Sequence, residues 1–302
     1  MSHQNASVKS ILFALLANLG IAITKTAAAI ITGSGAMLAE SIHSYADCGN
    51  QGLLFLGLRK SKKRPDAEHP LGYGKEIYFW SFIVAIILFS MGGMFSVYEG
   101  IHKIGAHEGI RSPIIAIVVL VISLILEGSS LYGCLVQIKK VRHNMPLWKW
   151  VKQSRQSELL VVLGEDTAAL LGLSFAIASV LLSMITGNPL FDAIGSIGIG
   201  VLLIMVSAFI GIKVKGLLIG QSPESEVHQD ILQFLQGRAE IEKIFNLITM
   251  QLGPGIMVSV KAKMTEVHSV DQLISNINIC EAELKKHLPS VQWIFFEPDI
   301  TD

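Results

Sequence analysis

Glu40, His43 and Asp47 lie in the middle of GAMLAESIHSYADCGNQGLLFLGLRK (residues 35–60), a stretch otherwise apolar enough for lipid. Their spacing of i, i+3 and i+7 puts all three on one helical face. An ionisable side chain at the centre of a bilayer costs at least about 2.5 kcal/mol, so such groups face a bundle interior or a watered cavity and mark function by default. His43 and Asp47, at i and i+4, can offer an imidazole nitrogen and a carboxylate oxygen to one small divalent cation. That donor mix suits zinc and also accommodates manganese, cobalt or iron. Two donors do not complete a tetrahedral shell, so another segment must contribute. LLVVLGEDTAALLGL (residues 159–173) carries Glu165 and Asp166 inside an apolar run. Successive helical residues point about 100° apart, so one of the two is expected to face the same centre. The residues alone do not choose between them.

The elements that must position these groups follow from composition. The chain has 302 residues, 51% hydrophobic and 16% charged, with a mean hydropathy of +0.54. Ordinary soluble domains carry about 25% charge, so an integral membrane protein in a lipid bilayer is expected. Twenty-four basic residues balance 24 acidic ones, which gives no argument for a nucleic-acid partner. Cys48, Cys134 and Cys280 are scattered and form no CxxC pair; they read as packing residues.

Crossing a hydrocarbon core takes about 20 apolar residues of helix. Six segments qualify: 10–31, 35–58, 78–101, 114–136, 159–186 and 190–212. TGSG and TGNP join the first to the second and the fifth to the sixth, which makes those pairs antiparallel neighbours. RKSKKR (59–64), KKVRH (139–143) and KVK (213–215) follow the second, fourth and sixth spans. By the positive-inside rule both termini face the cytoplasm, although Lys103 and Arg111 dissent. The amino terminus resembles neither a cleavable signal nor an organelle presequence. A bacterial inner membrane is therefore the expected location.

Past Gly216 the charge returns. SEVHQDILQFLQGRAE has helical spacing, IEKIFNLITMQLG and IMVSVKAKMT read as strands, SVDQLISNINICEAELKKHLP as a capped amphipathic helix and VQWIFFEP as a last strand. The organisation expected is a six-span transmembrane domain over 1–215, which the resemblance described below makes the transport domain, and a cytoplasmic α+β domain, ordered α-β-β-α-β, over 216–302. NMPLWKWVKQSRQSE, between the fourth and fifth spans, mixes tryptophan with basic residues and suits a short helix at the membrane interface.

SGAMLAESIHSYAD, then RPDAEHPLGYGK, a carboxylate in the fifth of six spans and a trailing α+β domain together resemble the cation diffusion facilitator family of divalent metal transporters. HSYADCGNQGLLFLG, EDTAALLG and ITGNPLFDAIGSIGIG are similar to the branch that includes animal zinc transporter nine. The resemblance implies a six-helix transmembrane bundle, a cytoplasmic ferredoxin-like domain and a homodimer. It also implies a divalent cation, zinc first, as transported substrate exchanged for protons, with no catalytic cofactor. The family's site takes two i, i+4 pairs from the second and fifth spans. His43 and Asp47 match the first pair and Asp166 half of the second; the remaining position falls on Val162, which cannot bind metal. Water, Glu165, Glu40 or Asn18 would then complete the shell, water or Glu165 first, with Glu165 alternatively a proton carrier. On the cytoplasmic loop Asp66 and His69 match a further family zinc site, but Tyr73 replaces its second histidine. In the small domain Phe245, Lys261 and Phe296 stand where relatives have ligands. His228, His268 and His287 show no ligand spacing, so dimerisation without structural zinc is expected there.

Two more acids lie in apolar segments. Glu127, in LILEGSSLYG, reads either as hydrogen-bonded structure or as part of a proton path. Asp192, at the start of the sixth span, reads as a helix-terminal carboxylate favoured by the dipole. A membrane-embedded zinc metalloenzyme is the rival from another class: Val162 would leave the open coordination position and Glu165 would act as base. No HExxH motif supports it.

Overall fold

A computed structural model describes residues 18–104, 112–142 and 145–301. The start of the first expected span and most of the connection that ends at Arg111 lie outside the described residues. The chain divides into two compact units, one from the described parts of residues 1–57, 80–145 and 157–214, the other from 58–79, 146–156 and 215–302.

The first unit is helical. Its elements are α1 (Asn18–Thr32), α2 (Gly35–Ser61), α3 (Glu76–Ile104), α4 (Pro113–Val141), α6 (Ser157–Thr186) and α7 (Leu190–Ile219); a short α5 (Leu147–Gln153) belongs to the second unit. Four of these, α3, α4, α6 and α7, are long and apolar enough to cross a membrane. Helix α1 is apolar over the 15 residues described. Helix α2 spans 27 residues, but Glu40, Ser41, His43, Ser44, Asp47, Asn50 and Gln51 dilute its apolar character. The polar residues cluster in α2 because they have an interior to face: Glu40, His43 and Asn50 are all buried.

Short turns set the helix pairs. Gly33 closes α1 with φ of 66°, a left-handed conformation that suits glycine at a helix carboxyl end, and its N–H donates to Ala29 O at 2.8 Å. Gly187, between α6 and α7, is likewise left-handed at φ of 65°. Asp192 then ties the bundle. It accepts from Ser34 Oγ and the Gly35 N–H, both at 2.6 Å, and from Lys103 Nζ at 3.2 Å. The dipole argument therefore holds, but for the amino terminus of α2 rather than for Asp192's own helix. Helix α3 contains a π-helical turn over Leu88–Met94. Nearby glycines let α3 and α7 approach backbone to backbone: a Cβ on Gly200 would lie 2.7 Å from both Gly93 O and Val97 N.

The second unit holds α8 (Ser225–Gln236), β1 (Ile241–Leu252), β2 (Gly255–Met264), α9 (Val270–His287) and β3 (Val291–Pro298), the expected order of elements. Its sheet is mixed, ordered β1-β2-β3, with β1 antiparallel and β3 parallel to β2. Alternation along β2 buries Val258, Val260 and Ala262 against Ile231 and Leu235 of α8 and Cys280 and Leu284 of α9. Ser269 caps α9, its hydroxyl accepting from Gln272 N–H at 3.2 Å. On the open face Ile248 and Phe295, joined through Ser259, form one exposed cross-strand row.

Candidate metal centre

Helix α2 builds one wall. Glu40, His43, Asp47 and Asn50 follow one another at i, i+3, i+7 and i+10, so one polar stripe runs along its inner face. His43 is 1% exposed, and neither ring nitrogen has a hydrogen-bond partner. Its Nε2 stands 3.5 Å from Asp47 Oδ2, while Asp47 Oδ1 is buried without a partner. Two ligands bound at ordinary zinc distances to one tetrahedral centre lie about 3.3 Å apart. The i, i+4 pair is thus spaced to share an ion.

Beside Asp47 lies a cavity of about 30 Å³, lined among others by Asn18, Gln51, Glu127, Val162, Glu165 and Asp166. That is room for a water or two, or for a small cation with a water. Four helices meet here. α1 brings Asn18, whose amide donates to Gln51 Oε1 of α2 at 3.1 Å. α4 brings Glu127 and, one turn on, Ser130, whose hydroxyl lies 3.2 Å from both oxygens of Asp166. α6 brings Val162, Glu165 and Asp166.

Both neighbouring acids of α6 line the cavity, where one was expected. The 100° between them is satisfied because the cavity lies among several helices: Glu165 turns to α2, accepting from Asn50 Nδ2 at 2.6 Å, and Asp166 turns to α4. Val162 presents its isopropyl group to the same space, a wall without a donor. His43 reaches the cavity only through Asp47. Among the described residues no three His, Cys, Asp or Glu side chains converge closely enough to hold an ion as they stand. Closing such a shell needs side-chain rotation toward the cavity.

Glu40 stands apart from this group. Its Oε2 is 3.4 Å from Lys25 Nζ, which also donates to Ser44 Oγ at 2.8 Å, and both charges are fully buried. Reading by motif passed over Lys25, although a lysine in the apolar run IAITKTAAAI was itself the signal. Asn50 and Ser130 were passed over too, being neutral and unexceptional in sequence.

On the connection between α2 and α3, Asp66 and His69 form part of a hydrogen-bonded turn. Tyr73 Oη donates to Asp66 Oδ2 at 2.7 Å, Lys63 Nζ to the same oxygen at 3.0 Å and the His69 N–H to Oδ1 at 2.9 Å. The bonds from Tyr73 and Lys63 hold the Asp66 carboxyl well below the usual carboxylate range. Tyr73, in the place of a second histidine, is thus a structural partner of Asp66. In the small domain His228 bonds Thr249 and His287 bonds Asp230, while Lys261 pairs with Asp299 at 3.1 Å. All three cysteines are free and buried.

Comparison with known proteins adds to this geometry. Residues 11–219 match the family model described as the cation efflux transmembrane domain. The chain is 39% identical over 231 residues to the human mitochondrial proton-coupled zinc antiporter SLC30A9, covering 75% of this chain and 40% of that protein. It is 33% identical to metal tolerance protein C4 of Arabidopsis thaliana, covering 74% of this chain and 50% of that one. Magnetosome protein MamB of Magnetospirillum gryphiswaldense is 24% identical over 84% of each chain. The chain therefore spans about half or less of the length of the two more similar relatives.

Proposed function

Because this chain belongs to the cation efflux transmembrane domain family, we propose that it is a transporter that moves a divalent cation, zinc first, across the membrane in exchange for protons. It is an integral membrane protein, and the family sets aside the metalloenzyme rival. The observation that carries the reading is the pairing of His43 and Asp47 at 3.5 Å beside a carboxylate-lined cavity. His43, Asp47 and Asp166 are the proposed ligands; Glu165, tethered by Asn50, is the neighbouring proton carrier.

A transport cycle follows from ligand chemistry. Imidazole and carboxylate bind a metal ion only when deprotonated, so protons and metal compete for the same atoms. Metal entering from the cytoplasmic side displaces protons, and rocking of the helices presents the site to the other side, where protons displace the metal. Both termini in the cytoplasm of a bacterial cell belong to this reading, supported by the basic residues that follow α2 and α4 and by those near the end of α7. Six spans, a transport domain over 1–215 and a dimerisation domain over 216–302 belong to it as well. The exposed row of Ile248 and Phe295 supports a homodimer joined through the small domain. The zinc named for the human relative favours zinc, with manganese, iron or cobalt as the alternatives.

The test is zinc uptake into sealed proteoliposomes with internal pH recorded. His43→Ala and Asp47→Ala should each abolish both zinc movement and the coupled pH change, Asp166→Asn should abolish zinc movement, and Glu165→Gln should weaken the coupling more than the binding. Parent-like uptake by His43→Ala and Asp47→Ala would overturn the site.

A further inference from the structure

We propose that Glu127 of α4 supplies the donor that Val162 cannot, so that the cation is held by His43, Asp47, Asp166 and Glu127 from three helices. The inference rests on the transport reading above and completes its site.

Glu127 lines the same cavity as Asp47, Asp166 and Val162. It lies one helical turn from Ser130, which bonds Asp166, so one face of α4 supplies both residues. The carboxylates of this unit differ in how they are occupied. Glu40 is paired with Lys25, Asp192 caps α2, and Glu165 accepts from Asn50. Glu127, half-buried in an apolar helix, makes no hydrogen bond or ion pair among the described residues. On the facing helix α2, buried atoms lack hydrogen-bond partners: Asp47 Oδ1 on the cavity wall, His43 Nε2 at 3.5 Å from Asp47 Oδ2, and Asn50 Oδ1 on the amide that holds Glu165.

Charge points the same way. Asp47, Glu127, Glu165 and Asp166 surround the cavity, and Lys25, the buried cation of α1, is engaged by Glu40 and Ser44. A neutral ligand would leave these carboxylates uncompensated, whereas a divalent cation answers two of the charges at once. One nitrogen and three carboxylate oxygens make four donors, enough for tetrahedral zinc and harder than a set richer in histidine. Glu165, already tethered, is the poorer fourth ligand.

Zinc binding to the purified full chain, measured by calorimetry, tests this together with uptake into proteoliposomes. Glu127→Gln should weaken zinc binding at least tenfold and slow uptake in proportion. Adding Val162→His to Glu127→Gln should recover most of the lost affinity, because it returns a donor to the same cavity; a packing role for Glu127 would not be repaired in that way. Parent-like zinc affinity in Glu127→Gln overturns the inference, and so does normal binding with a lost pH dependence, which would make Glu127 a proton carrier. A loss that Val162→His fails to recover counts against it equally. If Glu127→Gln is parent-like while His43→Ala and Asp47→Ala abolish uptake, the transport reading stands without Glu127. If all three are parent-like, both fail.

Discussion

The buried pair between α1 and α2 gives a sharp test of the bundle. Lys25 and Glu40 are each at most 1% exposed and lie 3.4 Å apart. At an effective dielectric of ~20 their attraction is about 5 kcal/mol, of the same order as the several kcal/mol per ion lost in leaving water. The pair is therefore worth little relative to two apolar side chains, but its halves cannot be separated cheaply. Lys25→Met should leave the Glu40 carboxylate buried beside Gly172 with no cation, and Ser44 without its donor. The expected loss is about 3–5 kcal/mol. Glu40→Met should cost a similar amount by stranding the ammonium. Lys25→Met/Glu40→Met, in which flexible apolar chains fill the same space, should return to within about 1.5 kcal/mol of the parent. Equilibrium unfolding in mixed micelles would measure this as a shift in midpoint at unchanged slope. A double variant as unstable as the sum of its singles would refute the reasoning, since the charges would then contribute independently.

Asp192→Ala should remove the cap of α2 and the partner of Lys103 together, lowering stability by about 2 kcal/mol, readable by thermal unfolding in detergent. Gly200→Ala should cost about 3 kcal/mol, at the upper end for overpacking, because its Cβ would meet backbone atoms of Gly93 and Val97 at 2.7 Å. Gly49→Ala, which meets nothing within 4 Å, is the control and should leave the midpoint unchanged or raise it.

What was legible in the sequence was what a single helix decides for itself. The shared face of Glu40, His43 and Asp47 follows from the helical repeat, and their burial follows from the cost of charge in an apolar run. The αββαβ order of the small domain was legible for the same reason, since alternation along β2 and the Ser269 cap are local. Relations between helices were not. Glu127 was visible as an anomaly in α4, yet nothing in LILEGSSLYG says that its face meets Asp166 rather than lipid. Asp192 looked like a cap for the helix it begins; only packing delivers its carboxylate to the amides of α2, 157 residues away in sequence. The rotation argument for Glu165 and Asp166 failed in the same way: it assumed a centre on one side of α6, whereas the cavity is bounded by helices to which both acids can turn.

The same distinction explains why Val162 could be recognised as a gap in the shell but not repaired from sequence. A ligand lost from one helix can be replaced by a residue on any helix that reaches the same space, and no spacing rule links α4 to α6. The replacement still leaves a mark, because a carboxylate in an apolar helix must be compensated. Lys25 compensates Glu40, Asn50 holds Glu165 and the end of α2 takes Asp192. Once those partners are accounted for, Glu127 joins Asp47 and Asp166 as the carboxylates that face the cavity with oxygens to offer, and the proposed cation is the partner that compensates them.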